Sequence, residues 1–348
     1  MTMNVLTIGM LAHNEAAVIG RTIASLARQS ILNSSRWPAL GIDAVEVVVV
    51  PNGCSDNTAA IAGEALARLP DGVATSVRVL EETGKANAWN RFVHEMSPPG
   101  ATLLALMDAD IEFGLDEVVE RLVERLRDDP SRDVATDRAV KDYRNTRMTL
   151  FNRLSRRVSE QQGGDGGLCG QLYCGRAEVL RRIWLPAGLP VEDGFISAML
   201  GSDGFTLPQG RAAIAYVPGT WHYYEPLTGI AAYVRHEARI IVGSVINAWL
   251  FTLMWEAGKK GHAGEYVRLR NAEDPNWVQA VCEQARCERG GWLVSDAFIW
   301  WRLAPLRGQS LRRLLVRAPI AAAATLASLP AVLRANRILR RTAASRHW

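Results

Sequence analysis

Leu103-Leu104-Ala105-Leu106-Met107-Asp108-Ala109-Asp110 is the stretch whose reading decides the fold. The apolar run is too short for a helix of ordinary length and stops abruptly at two carboxylates one residue apart. A buried strand that delivers acids to the carboxyl edge of a sheet has this pattern. Two carboxylates this close repel each other, and a cation beside them relieves the repulsion. Hard oxygen ligands suit Mg²⁺ or Mn²⁺, ions that usually accompany phosphate-bearing substrates. Asp108 and Asp110 are therefore candidate metal ligands, against the plainer reading that the pair caps the next helix or faces water.

Working outward, residues 5–12 and 45–50 read as apolar strands, and 76–80 as a third. Helical spacing runs through 15–29, 85–95 and 116–127, the last with Leu115, Val118, Val119, Leu122, Val123 and Leu126 on one face. Another helix starts near Asp56-Asn57-Thr58, after the turn signal Pro51-Asn52-Gly53. Strands alternating with helices predict an α/β fold: a doubly wound, mostly parallel sheet with flanking helices. Polar clusters follow three of the strands: His13-Asn14-Glu15, the stretch from Asn52 to Asp56, and Asp108 with Asp110. Carboxyl ends of parallel strands are where open α/β sheets bind ligands.

The second half is less regular. A basic helix is predicted over 143–161, a glycine-rich loop over 163–167, a strand over 168–173 and a helix over 176–184. Glu192-Asp193 leads into a short helix, 194–200, where an Asp also makes a good N-cap. A strand is expected over 212–217, ending at Pro218, and helices from 233 onward. Arg235 and Arg239 lie one helical turn apart, a spacing that can grip a diphosphate or simply face water. His222, within Trp221-His222-Tyr223-Tyr224, is either a packed histidine or a ligand.

Composition narrows the class. The chain has 348 residues, 48% hydrophobic and 22% charged, as in ordinary globular proteins. A net charge of +4 gives no reason to invoke nucleic acid. Five cysteines without zinc-type spacing are expected to be reduced thiols, as in a cytoplasm. No basic leader precedes the apolar start, so no signal peptide is read there. The uncharged runs 240–255 and 318–333 fall short of the roughly 20 residues a spanning helix needs, and the second contains Pro319 and Pro330. Strand one lacks G-x-G-x-x-G, and Val79 stands where a P-loop ending in Gly84-Lys85 would need its first glycine.

Taken in order, these pieces resemble family 2 glycosyltransferases, which have the GT-A nucleotide-sugar fold. Leu11-Ala12-His13-Asn14-Glu15 resembles the family's opening segment, and Pro51 to Thr58 its second strand and turn. Gly84-Lys85-Ala86-Asn87-Ala88-Trp89-Asn90 is similar to its GKxxAxN, Asp108-Ala109-Asp110 to its DxD, and Glu192-Asp193 to its ED. His236 to Ile240 keeps only Arg239 of QxxRW, and Pro51-Asn52 stands where the family usually has two acids. The resemblance covers roughly residues 4–245 and implies a catalytic domain over 1–245, in halves 1–130 and 131–245, with a helical region over 246–348.

It implies a metal-dependent, inverting transfer of a single sugar from a nucleotide-diphosphate sugar to a hydroxyl acceptor, carbohydrate or lipid-linked. Asp110 would hold Mg²⁺ or Mn²⁺, joined by Asp108 and with His222 as a further ligand. His13, Asn14, Glu15, Asn52, Asp56, Lys85, Asp108, Glu192, Arg235 and Arg239 would contact substrate, and Asp193 would be the general base. Without a transmembrane bundle, a processive synthase is not expected. The rivals are a nucleotidyltransferase of the same nucleotide-binding fold and a non-catalytic glycan- or membrane-binding scaffold. Arginines at 334, 337, 340, 341 and 346 give the tail a basic amphipathic pattern that suits an anionic membrane surface. That suggests a cytoplasmic enzyme, peripheral on the inner face of the membrane, in cell-envelope polysaccharide or glycolipid synthesis.

Overall fold

The computed structural model describes residues 3–144, 167–227, 229–300 and 311–341. Strand β1 (Val5–Ala12) is buried from Leu6 onward, as expected of a parallel strand covered on both faces. It pairs in parallel with β2 (Ala44–Pro51) on one side and β4 (Ala101–Asp108) on the other. A further strand, β3 (Ala74–Val77), pairs in parallel with β2 at the edge. Beyond β4 the sheet turns mixed. β7 (Leu172–Arg176) is antiparallel to β4, and β6 (Val134–Lys141) is antiparallel to β7. β8 (Ile214–Tyr224) is parallel to β6, and the short β5 (Ile111–Phe113) closes the order β3-β2-β1-β4-β7-β6-β8-β5, antiparallel to β8. The acid-tipped strand thus lies in the middle of an α/β, mostly parallel sheet.

Helices α1 (Ile19–Ala27), α2 (Thr58–Leu66), α3 (Lys85–Arg91) and α4 (Val118–Asp128) flank these strands. On α4 Val118, Val119, Leu122, Val123 and Leu126 of the predicted stripe are buried, while Leu115 precedes the helix and is partly buried against the same core. Each such side chain contributes about 1.5–3 kcal/mol by leaving water.

β5 was not expected, β3 lies at 74–77 rather than 76–80, and the helix expected over 176–184 is a single turn, Ala177–Leu180. Three further differences bear on the site. β6 was not anticipated, because Asp137, Arg138 and Lys141 interrupt its apolar pattern. β7 starts at Leu172 rather than 168, since the preceding residues form a turn closed by Leu172 N–H to the Cys169 carbonyl at 3.3 Å. β8 does not stop at Pro218 but runs on to Tyr224. The register with β6 shifts between Thr136 and Arg138, so residues 217–220 of β8 face Asp137 across a bulge. Gly219, at φ 76°, supplies the left-handed turn there, and a bulge is where a strand tolerates the donor that Pro218 lacks. The helix predicted over 143–161 and most of the loop over 163–167 lie outside the described residues.

The chain divides into two compact units, Met1–Pro186 with Glu192–Pro226 and Met254–Arg270, and Ala187–Val191 with Leu227–Leu253 and Asn271–Trp348. The first also holds α5 (Asp193–Gly201). Helix α6 (Ile230–Gly258) runs through the division, as does α7 (Ala263–Glu273), while α8 (Trp277–Arg289) and α9 (Leu311–Arg341) belong to the second unit. Among the described residues, α6 is the one helix long and apolar enough to cross a membrane, and half of its apolar window is buried inside the protein, as in a core helix. It is longer than the uncharged run because its first turns take in Arg235, Glu237 and Arg239. Helix α9 continues through both Pro319 and Pro330. All five cysteines are free thiols.

Candidate active site

The loops after β1 and β2 are built onto each other. Asn52, almost fully buried, donates from Nδ2 to the Ala12 carbonyl at 2.8 Å and accepts at Oδ1 from Gly84 N–H at 3.2 Å. His13 Nδ1 lies 2.7 Å from the Asn52 carbonyl oxygen, and Asn14 accepts from Ser55 N–H at 2.8 Å. Asp56 accepts from Ala16 N–H at 3.1 Å and from both the amide and the hydroxyl of Thr58, at 3.0 and 2.5 Å. Those bonds, led by the Thr58 hydroxyl, hold its carboxyl below the usual range. Gly53 is dictated by space as well as by φ 55°: a Cβ there would meet Thr83 Cγ2 at 2.2 Å. Asn52 and Asp56 therefore shape the strand-end loops first, whatever else they touch.

Lys85 draws the remaining acids together. Its Nζ lies 2.6 Å from Asp108, 2.8 Å from Glu192 and 3.3 Å from the Gly170 carbonyl oxygen. Burial pulls this lysine down, but Asp108 and then Glu192 outweigh it and hold the ammonium well above the ordinary lysine range. Asp108 is pushed up to about 6, by burial first, against the pull of Lys85. Glu15 is pushed up to about 7, by burial and then by Asp110, Asp108 and Asp56. Acids crowded at the strand ends raise one another, and an added cation there would relieve that repulsion.

Asp193 opens α5 beside Gly170, where a Cβ on the glycine would come within 2.8 Å of the Asp193 Cβ. Its Oδ1 accepts from the adjacent Gly194 N–H at 2.6 Å, and no side-chain cap bond closes the helix at Glu192. Asp110 opens on a cleft of about 480 Å³ that is also lined by Arg21, Glu112, Arg144 and Tyr223. Glu112 pairs with Arg21 at 2.6 Å and with Arg144 at 3.3 Å, and Arg144 lies over the Tyr223 ring, 4.2 Å from its centroid.

His222 is fully buried, with Nδ1 2.9 Å from both oxygens of Asp137 and Nε2 3.4 Å from Gln171 Oε1. The Asp137, Cys169 and His222 ligand atoms all lie within 4.8 Å of one another. Burial, then Asp137, pushes the Cys169 thiol up to about 12, so it is a neutral thiol at physiological pH. Asp137 escaped sequence reasoning; the available signal was an Asp137-Arg138 pair between the small Val134-Ala135-Thr136 and Ala139-Val140. Arg235 and Arg239 are exposed on the second unit's stretch of α6.

The comparisons with known proteins fit this arrangement. Residues 7–184 match the family described as Glycosyl transferase family 2. The chain belongs to that family. As a member it has the GT-A fold and is a glycosyltransferase. Among solved structures it is similar to a mannosyltransferase from Pyrobaculum calidifontis in complex with GDP-Man and Mn²⁺. The two are 19% identical with a TM-score of 0.54, covering 96% of this chain and 86% of that one. It is also similar to glucosyl-3-phosphoglycerate synthase from Mycobacterium tuberculosis in complex with Mn²⁺, UDP and phosphoglyceric acid. That match is 20% identical at a TM-score of 0.44, covering 68% of this chain and 78% of that one. No curated protein matches the sequence.

Proposed function

We propose that this glycosyltransferase transfers one sugar from a nucleotide-diphosphate sugar to a hydroxyl acceptor, with inversion, using Mg²⁺ or Mn²⁺ and Asp193 as general base. The observation that carries the reading is the Lys85 bridge, because one ammonium holds Asp108 of the DxD and Glu192 of the ED at a single site. The donor set fits a hard cation. Asp110 lines the cleft, Asp108 is already tied to Lys85, and His222 keeps Nε2 in no strong hydrogen bond. A divalent ion held there supplies charge neutralisation for the departing diphosphate when bound. Asp193 takes the proton of the acceptor hydroxyl as that oxygen bonds to the anomeric carbon and the nucleoside diphosphate leaves from the opposite face. One displacement inverts the configuration. Glu15, His13 and Asn14 line the donor side, since they stand at the β1 end beside the β2 loop.

A lipid-linked acceptor is supported by α9. Thr325, Ser328, Ala331, Val332, Ala335 and Leu339 are buried on one face, whereas Leu326, Leu333 and Arg334, Arg337, Arg340 and Arg341 are exposed on the other. Such a face suits an anionic, cytoplasmic membrane surface.

The test is thermal stabilisation by a panel of nucleotide sugars with and without Mn²⁺. A true donor at about 100 times its Kd should stabilise the protein by about 2.7 kcal/mol. Asp110→Asn should abolish the metal-dependent part. Equal stabilisation of wild type and variant, with or without metal, would remove the proposal.

A further inference from the structure

The Asp137–His222 pair is buried at a place where burial needs a reason. Both side chains are fully excluded from solvent, and an ionised carboxylate taken out of water is costly unless a donor satisfies it. The fold goes out of its way to create the pair. Across from Asp137, β8 carries the extra residues 217–220, and the ladder resumes with Arg138 opposite Trp221 and Ala139 opposite His222. Bulges of this kind re-aim side chains next to active sites. Thr136, one residue before, accepts from Cys169 N–H at 3.2 Å and donates to the Leu172 carbonyl at 3.0 Å, pinning the 169–172 turn against β6. The same turn touches the metal-binding candidates directly, because the Gln171 carbonyl accepts from Asp108 N–H at 2.9 Å. Gln171 therefore links the two groups: its side chain faces His222 Nε2 and its carbonyl binds the backbone of Asp108.

We propose that Asp137 is a positioning residue for metal binding: its carboxylate holds His222 Nδ1–H, so that Nε2 is presented as the nitrogen ligand of the divalent cation at Asp110. The inference rests on the proposed role of His222 as a ligand. A carboxylate on the far nitrogen fixes both tautomer and ring orientation, and its loss commonly costs 10–100-fold in metal affinity. The 3.4 Å contact from Nε2 to Gln171 Oε1 lies beyond the usual range of an N–H···O bond, which leaves that buried nitrogen suited to a ligand.

The experiment titrates Mn²⁺ into the full chain, following free Mn²⁺ by electron paramagnetic resonance, alone and with UDP or GDP. Metal-free nucleotide binding and melting temperature are recorded in parallel. The variants are His222→Ala, Asp137→Asn, Asp137→Ala, Asp110→Asn and Cys169→Ser, and Zn²⁺ binding is measured alongside Mn²⁺. If the inference holds, His222→Ala and Asp137→Ala both weaken Mn²⁺ binding by about 10–100-fold. Asp137→Asn, isosteric and still able to accept through Oδ1, recovers part of the loss, and metal-free nucleotide binding does not move. Should Asp137→Ala fail to fold, Asp137→Asn alone is expected to weaken Mn²⁺ measurably. Wild-type Mn²⁺ affinity in every folded Asp137 variant, alongside a loss in His222→Ala, overturns the positioning role and leaves the ligand reading intact. Unchanged affinity in His222→Ala overturns both. Tight Zn²⁺ binding that survives Asp110→Asn but is lost in Cys169→Ser would instead make Asp137 a ligand of a separate thiolate site, and also overturns the inference.

Discussion

Asp193 and Glu15 are the two residues whose behaviour separates chemistry from architecture. Asp193 is the first residue of α5, where a negative charge favours the helix by about 0.3–1 kcal/mol. Asp193→Asn should therefore cost no more than about 1 kcal/mol of stability while lowering turnover by about 10²–10⁴-fold and leaving donor binding intact. A variant that melts lower but keeps its rate would return Asp193 to helix architecture. Glu15 makes a prediction in pH. Its carboxyl is raised from 4.5 to about 7, by burial first and then by Asp110, Asp108 and Asp56. Between those values the native state holds a proton that the unfolded state has released, so this residue's contribution to stability falls as pH rises through about 7. Glu15→Gln removes the falling part. The variant should gain melting temperature relative to wild type at about pH 8, more than at about pH 5. An equal difference at both pH values would mean that Glu15 feels no such crowding.

At the level of elements, legibility followed the strength of the local pattern. β1, β2, β4 and α4 were readable because each carries a mostly apolar run or stripe, as a central parallel strand covered on both faces requires. Their carboxyl ends were readable with them, which is why Glu15, Asn52, Asp108 and Asp110 emerged at once. The antiparallel half was harder. β6 was hidden by the charges it carries, and β8 by a proline that reads as a stop unless a bulge receives it. Both errors fell on the pair that matters most there. Asp137 lies where the unseen strand meets the bulge, and His222 lies past the residue at which the strand was expected to end. A buried carboxylate–imidazole contact between residues 85 positions apart follows from register, and register is set by tertiary pairing rather than by local sequence. Lys85 shows the complementary case: its motif was visible, but its two acidic partners could be assigned only once β4 and α5 were placed.

At the level of the whole molecule, α9 makes the proposed membrane contact measurable. One face of the helix packs within its own unit, where Asn336 accepts from Leu293 N–H at 2.7 Å and donates to the Gly291 carbonyl at 3.2 Å. The other face leaves Leu326 66% and Leu333 58% exposed, followed by the exposed Arg334, Arg337, Arg340 and Arg341. Packing and surface contact are thus compatible, and truncation is the wrong tool because it would strip the packed face. Replacing the four arginines with glutamine alters only exposed positions. With each arginine near an anionic surface worth about 1 kcal/mol, the quadruple variant should bind phosphatidylserine-containing liposomes about a thousandfold more weakly. Leu326→Ser with Leu333→Ser should weaken binding further without changing its dependence on salt, since burial of apolar surface is not screened. Wild-type binding should itself fall as ionic strength rises from low to physiological, where the screening length shortens to about 8 Å. Co-sedimentation that is absent in the wild type, or indifferent to both the arginines and salt, would confine α9 to packing and move the acceptor away from the membrane. Turnover on water-soluble acceptors should stay the same in all these variants, because none of the substituted residues belongs to the strand-end site.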